Sequence, residues 1–64
     1  MMHINDWIRM VNRSARLHTI VKESRDREEG VERLQQGIER IGLAIDRKTV
    51  QRVYDRARLE LPAA

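Results

Sequence analysis

The side chains of this 64-residue chain that could act as nucleophile or base are the hydroxyls Ser14, Thr19, Ser24 and Thr49 and the imidazoles His3 and His18. Ser14 and His18 stand four apart, close enough on one helix face to touch, as a base-activated hydroxyl requires. No acidic residue lies in reach to orient the imidazole, and no glycine-rich loop offers an oxyanion hole, so the pair reads as a polar contact at a helix interface. A metal site needs three or four converging ligands; the chain has no cysteine and its two histidines are 15 positions apart. Gly30, Gly37 and Gly42 are spread along helical sequence and do not form a phosphate cradle. The expectation is a binding protein with no catalytic residues, no metal, no cofactor and no small-molecule substrate.

The remaining chemistry is cationic. Net charge is +3 and the pI about 10.2, and Arg supplies 11 of the 13 basic residues. Residues 1–22 carry +3, residues 23–45 carry −2 and residues 46–64 carry +2, so two basic ends flank an acidic middle. Such a balance permits nucleic-acid binding without requiring it. Arg-rich, Lys-poor usage suggests a GC-rich bacterial or phage genome.

The elements that must position these charges are helical. Ile4, Trp7, Ile8, Met10, Val11, Ala15, Leu17 and Val21 recur at helical spacing with no Gly or Pro between them, which predicts one helix over about residues 4–22. Its apolar arc covers roughly half the circumference, wider than one neighbouring helix would cover. The helix is therefore expected to face both its own chain and a partner, with Trp7, Met10 and Val11 as anchors. Ile20 falls outside the arc, on the arginine side. Residues 23–29 contain no apolar side chain and read as a connection; Asp26 and Glu29 have the form of a capping box that starts a helix near Arg27.

Val31, Leu34, Ile38, Ile41 and Ile45 follow a 3,4,3,4 spacing, a narrow seam suited to a helical hairpin or coiled coil. Leu34, Ile38 and Ile41 join the expected protein interface. After Ile45 the phase moves to Val50, Val53, Tyr54, Ala57 and Leu61. Gly42 suits a helix C-cap and Asp46 an N-cap, which places a turn at residues 42–45 between helices of about 27–41 and 47–60. Ile41, Ile45, Thr49, Val53 and Ala57 also run in steps of four, so one bent helix over residues 27–60 is the alternative. Pro62 ends the last helix in either case. The expected fold is all-α: a small three-helix domain over residues 1–64, or a helical hairpin with a long bent second helix.

On the last helix the apolar stripe faces away from Lys48, Gln51, Arg52 and Asp55, with Arg47 and Arg58 at one border. A helix entering a major groove has this layout: an apolar back, cations for phosphates, and Arg or Gln near its start for base edges. Gly42, Asp46, Arg47, Lys48, Thr49, Val50, Arg52 and Val53 together resemble the turn and recognition helix of bacterial and phage helix-turn-helix regulators. By that resemblance Arg47, Lys48 and Gln51 would face bases, and Thr49 and Arg52 phosphates or groove edges. The sequence departs from the motif in three ways. The turn is about two residues longer than usual, Ile38 or Gly37 replaces the alanine of the preceding helix, and that helix is longer.

Two functions are thus expected of the chain. One is a dimeric transcriptional regulator that docks the last helix on DNA and occludes a promoter. The other is a helical adaptor or inhibitor, such as a phage-encoded modulator of a host protein, acting through the apolar face of the first helix. A chain this short buries a small fraction of its surface, so self-association, as a homodimer, is expected in both. No apolar run approaches the roughly 20 residues that span a bilayer, the longest being residues 41–45. A cytoplasmic chain without membrane contact is expected.

Overall fold

In the computed structural model, which describes residues 3–61, four α-helices succeed one another: α1 (Ile4–Arg13), α2 (Ala15–Glu23), α3 (Arg27–Arg40) and α4 (Arg47–Leu59). There is no strand among the described residues, so the fold is all-α. α2 and α4 are the central pair: each packs against the other three helices, whereas the backbones of α1 and α3 stay apart. Val50, Val53, Tyr54 and Ala57 of α4 are buried against Trp7, Ile8 and Val11 of α1, Leu17 and Val21 of α2, and Val31, Leu34 and Ile38 of α3 in one cluster. The Cα radius of gyration, 10.5 Å, agrees with the roughly 10.7 Å expected of a compact chain this long. One copy therefore closes its own core.

The single first helix expected from residues 4–22 is two helices, and the break falls at Ser14. Ser14 leaves the helical region (φ −87°, ψ 113°) and serves both as C-cap of α1 and as N-cap of α2. Its N–H donates to the Met10 carbonyl at 3.0 Å, and its Oγ accepts from the Leu17 N–H at 3.3 Å. Serine does this without Gly or Pro because its hydroxyl replaces a helical hydrogen bond. The hydroxyl considered for nucleophilic work is thus engaged in the cap. His3 is likewise a cap: its Nδ1 accepts from the Asn5 N–H at 3.2 Å while Asp6 Oδ2 accepts from the His3 N–H at 3.2 Å.

The break also explains the wide apolar arc. Ile4, Trp7, Ile8 and Val11 form one inward face, and Leu17, Ile20, Val21 and Ser24 form another with the same i, i+3, i+4, i+7 spacing but a different phase. Superimposed on one wheel they look like a face too broad for the fold. In the structure both are taken up by the chain itself. Trp7, Val11, Leu34 and Ile38, expected as interface residues, are core residues with 7%, 0%, 0% and 0% exposure. Met10 is half-buried, and Ile41 alone of that set is largely exposed, at 58%. Ile20, expected on the exposed arginine side, is partly buried against the core.

α3 ends before the seam does. Gly42 takes φ +96°; its N–H donates to the Glu39 carbonyl at 2.9 Å, and the Leu43 N–H donates to the Ile38 carbonyl at 3.4 Å. That pair of bonds is the Schellman termination, which needs a residue that tolerates the left-handed region. Residues 42–46 are therefore a turn, and the continuous bent helix over residues 27–60 does not form. Gln35 holds the turn down by donating from Nε2 to the Ile45 carbonyl at 3.3 Å. Asp26 caps α3 through the Glu28 N–H at 3.1 Å. Glu29, expected to reciprocate, instead pairs with Arg33 at 2.8 Å. α4 ends at Leu59 with Glu60 as its cap; Pro62, expected to stop it, lies outside the described residues.

Gly30 has a role that its position near a helix start does not announce. A Cβ there would stand 2.5 Å from Tyr54 Cε2 and 2.7 Å from Ser24 Oγ. The missing side chain is the space into which the Tyr54 ring packs. Gly30→Ala gains about 1 kcal/mol of helix propensity but must displace a buried ring, an overpacking that costs about 1–3 kcal/mol. A net loss of stability is expected from urea unfolding of Gly30→Ala, with the helical spectrum retained; a stabilised variant would mean that the ring is free to move.

Candidate nucleic-acid interface

α4 begins where the turn from Gly42 delivers Asp46. Asp46 Oδ2 accepts from the Thr49 N–H at 3.2 Å and Oδ1 accepts from the Thr49 hydroxyl at 2.5 Å. These two bonds, the hydroxyl one foremost, hold the Asp46 carboxyl below its ordinary range. An aspartate cap also favours the helix electrostatically, since its charge meets the positive end of the helix dipole. Thr49, expected to face phosphates or groove edges, is half-buried and committed to this cap.

From this anchored start the charges of α4 divide into two groups. Asp55 receives both arms of Arg27, at 2.8 and 2.9 Å. This contact draws the Asp55 carboxyl down and raises the Arg27 guanidinium further above neutrality. Arg56 pairs with Glu60 at 3.4 Å, and Glu60 also accepts from Asn12 Nδ2 at 3.1 Å. Arg58 donates to the carbonyls of Val21 and Ser24 at 3.1 and 3.5 Å, satisfying acceptors at the end of α2. The charges of the C-terminal half are thus all engaged in holding the fold. Those of the first two turns are not: Arg47, Lys48 and Arg52 are exposed and form no ion pair among the described residues. Gln51 is half-buried beside them.

The arrangement is a short cationic ridge on a helix whose back is locked into the core. Lys48 and Arg52, four residues apart, lie on one face, opposite the Val50, Val53, Tyr54 and Ala57 stripe. Arg47 lies at the border. Asp55 would interrupt the ridge with a negative charge, but its bidentate partner Arg27 neutralises it. Chemically, such a ridge binds anions spaced along a line and offers no acid, base or nucleophile. Among the described residues no group of three His, Cys, Asp or Glu side chains converges as metal ligands. Nor is any described helix long and apolar enough to cross a membrane.

Sequence reasoning identified the three unpaired cations at the start of α4 but not the role of Arg27, Asp55 and Arg58 in fastening it. Arg27 and Asp55 are 28 positions apart, and no local spacing reports such a pair. Compared with known proteins, the chain matches no family model, and no curated protein and no solved structure is detectably similar to it.

The Asp46 cap makes the start of α4 acid-sensitive. Its folded pKa is depressed, so the cap contributes in full above the unfolded value near 3.9 and is lost as pH falls through the folded value. Asn caps comparably without titrating. Thermal unfolding between about pH 5 and about pH 2 is expected to show a smaller acid loss for Asp46→Asn than for the unaltered chain. Superimposable acid limbs would show that the Asp46 charge contributes nothing.

Proposed function

We propose that the protein is a small non-enzymatic regulator that presents α4 to duplex DNA in the cytoplasm of a bacterial or phage-infected cell. The observation that carries this reading is the division of charge along α4. Arg47, Lys48 and Arg52 stand exposed and unpaired on its first two turns, while Asp55, Arg56 and Arg58 are tied into the fold. Unpaired cations at the start of a helix with a buried back are what phosphate docking and base reading ask for. The turn at Gly42 and the cap at Asp46 fall where the helix-turn-helix resemblance requires a helix boundary. Phosphates would be met by Lys48 and Arg52, and base edges by Arg47 and Gln51. Bound at a promoter, the protein would exclude polymerase. The adaptor reading through the first apolar arc is not favoured, because Trp7 and Val11 are needed inside.

The test is titration of labelled duplex DNA by fluorescence anisotropy at several salt concentrations. Two phosphate contacts per chain correspond to a log–log salt slope of about −1.8. Lys48→Glu with Arg52→Glu is expected to remove most of the slope and to weaken binding by about two orders of magnitude or more, since two charge-assisted bonds are lost. Helicity should be unchanged, because neither residue has a partner in the fold. Absence of binding at low salt, or binding indifferent to salt, would sink the reading.

A further inference from the structure

Away from the cationic ridge, three concavities run side by side around the exposed end of α3. The first, a groove of about 250 Å³ between α2 and α3, has Ile20 and Ile41 as its apolar wall and carries Arg16, Arg33 and Arg40. Another, a cleft of about 680 Å³ beside the start of α4, has Trp7, Leu43 and Ile45 as its apolar wall and carries Glu39 and Asp46. The third joins them: it is formed by Gln36, Glu39 and Arg40, sharing Gln36 and Arg40 with the groove and Glu39 with the cleft. The three make one continuous surface. One side is cationic and the other anionic, and each includes apolar side chains in its lining.

This distribution identifies an occupant. A free anion would satisfy the arginines but leave Ile20 and Ile41 uncovered, and Ile41 is 58% exposed. Leu59, the other large exposed apolar side chain among the described residues, lines none of the three concavities. A two-fold dimer pairs a patch with itself, so the patch must carry its own complement on either side of the axis. Here the complement is present: a cationic, apolar groove and an anionic, apolar cleft flank the Glu39–Arg40 ridge.

We propose that the chain forms a two-fold homodimer through this surface, with the axis near Glu39 and Arg40. Arg16 and Arg40 of each copy face Glu39 and Asp46 of the other, and Ile41 enters the other copy's apolar cleft. A stable interface takes about 800 Å² from each partner, roughly a sixth of the 4887 Å² surface of one chain. That requirement exceeds what the three concavities supply together, so the interface extends over the exposed side chains between and around them. Arg47, Lys48 and Arg52 line none of the three concavities, although Arg47 and Lys48 stand between Asp46 and Thr49 at the edge of the cleft. The proposal is independent of DNA binding: either stands if the other fails.

Sedimentation equilibrium of the full chain tests it. The expected mass is twice the 7.6 kDa of one chain. Arg40→Glu places like charges at both halves of the symmetric interface, as does Glu39→Lys, and each is expected to weaken association at least about tenfold, a single lost charge pair being enough for that. Mixed in equal amounts, the two variants are expected to regain the dimer, because both halves of the mixed interface then carry opposite charges. Both residues are exposed and outside every ion pair of the fold, and circular dichroism checks that the variants remain folded. Ile41→Ser, which leaves the core untouched, is expected to weaken association as well. A chain that stays monomeric to about 1 mM overturns the proposal, whatever acidic peptide its groove binds. So do folded charge variants that associate as tightly as the unaltered chain, or a mixture that recovers nothing.

Discussion

The Tyr54 ring lies on the bare backbone of Gly30, and the arrangement of the other helices depends on that approach. It brings the middle of α4 against the first turn of α3 more closely than any residue with a Cβ would permit. Ser24 is drawn into the same junction: it is buried, its hydroxyl donates to the Ile20 carbonyl, and its own carbonyl accepts from Arg58. Arg27 and Asp55 close the outer side. Three helices are fastened within one turn of each other. The exposed ion pair contributes little by itself, whereas the ring fills its space against buried backbone, so packing decides the geometry and charge follows it. The segment of residues 23–29, which reads as a solvated connection, carries the clamp.

What could be read in advance was the period of each element and its capping chemistry. Gly42 and Asp46 were legible as stop and start because each has a local mechanism: one tolerates positive φ, the other accepts a hydrogen bond from the first turn. The break at Ser14 has a local mechanism too, but serine is also an ordinary helix residue, and without Gly or Pro the two apolar quartets merged into one arc. Ile20 held the missing information. On a single helix it sits among the arginines; on α2 it completes Leu17, Ile20, Val21 and Ser24. An apolar residue out of phase is better explained by a change of phase than by exposure.

That change alters the functional reading as well as the fold. A half-circumference arc on one helix implied an unpartnered apolar face, and Trp7 and Val11 were its natural anchors. Divided at Ser14, the same residues fill the interior of one chain. The charged residues were less legible than the apolar ones, because periodicity reports which way a side chain points and not what it meets. Asp55 reads as one more side chain on the outward face; meeting Arg27, it is a fastening. Arg58 looked like a border cation; meeting the carbonyls of Val21 and Ser24, it caps α2. On α4 only the cations of the first two turns remain after these engagements are subtracted, and subtraction requires the tertiary structure.

The same subtraction bears on how firmly the free cations are held. α4 is capped at its start by Asp46, buried along its back, and tied at its end through Asp55, Arg56 and Arg58. The backbone beneath Arg47, Lys48 and Arg52 is therefore set by contacts on every side except the one they occupy. Side chains on such a backbone lose only their own rotamer freedom when they meet a ligand, since no segment has to be ordered first. In a chain of 64 residues that economy matters, because there is little core from which to offset the ordering of a loop. On the proposed reading the ridge meets a ligand whose own charges are regularly spaced and fixed, a condition that the duplex backbone satisfies more closely than a flexible acidic peptide does.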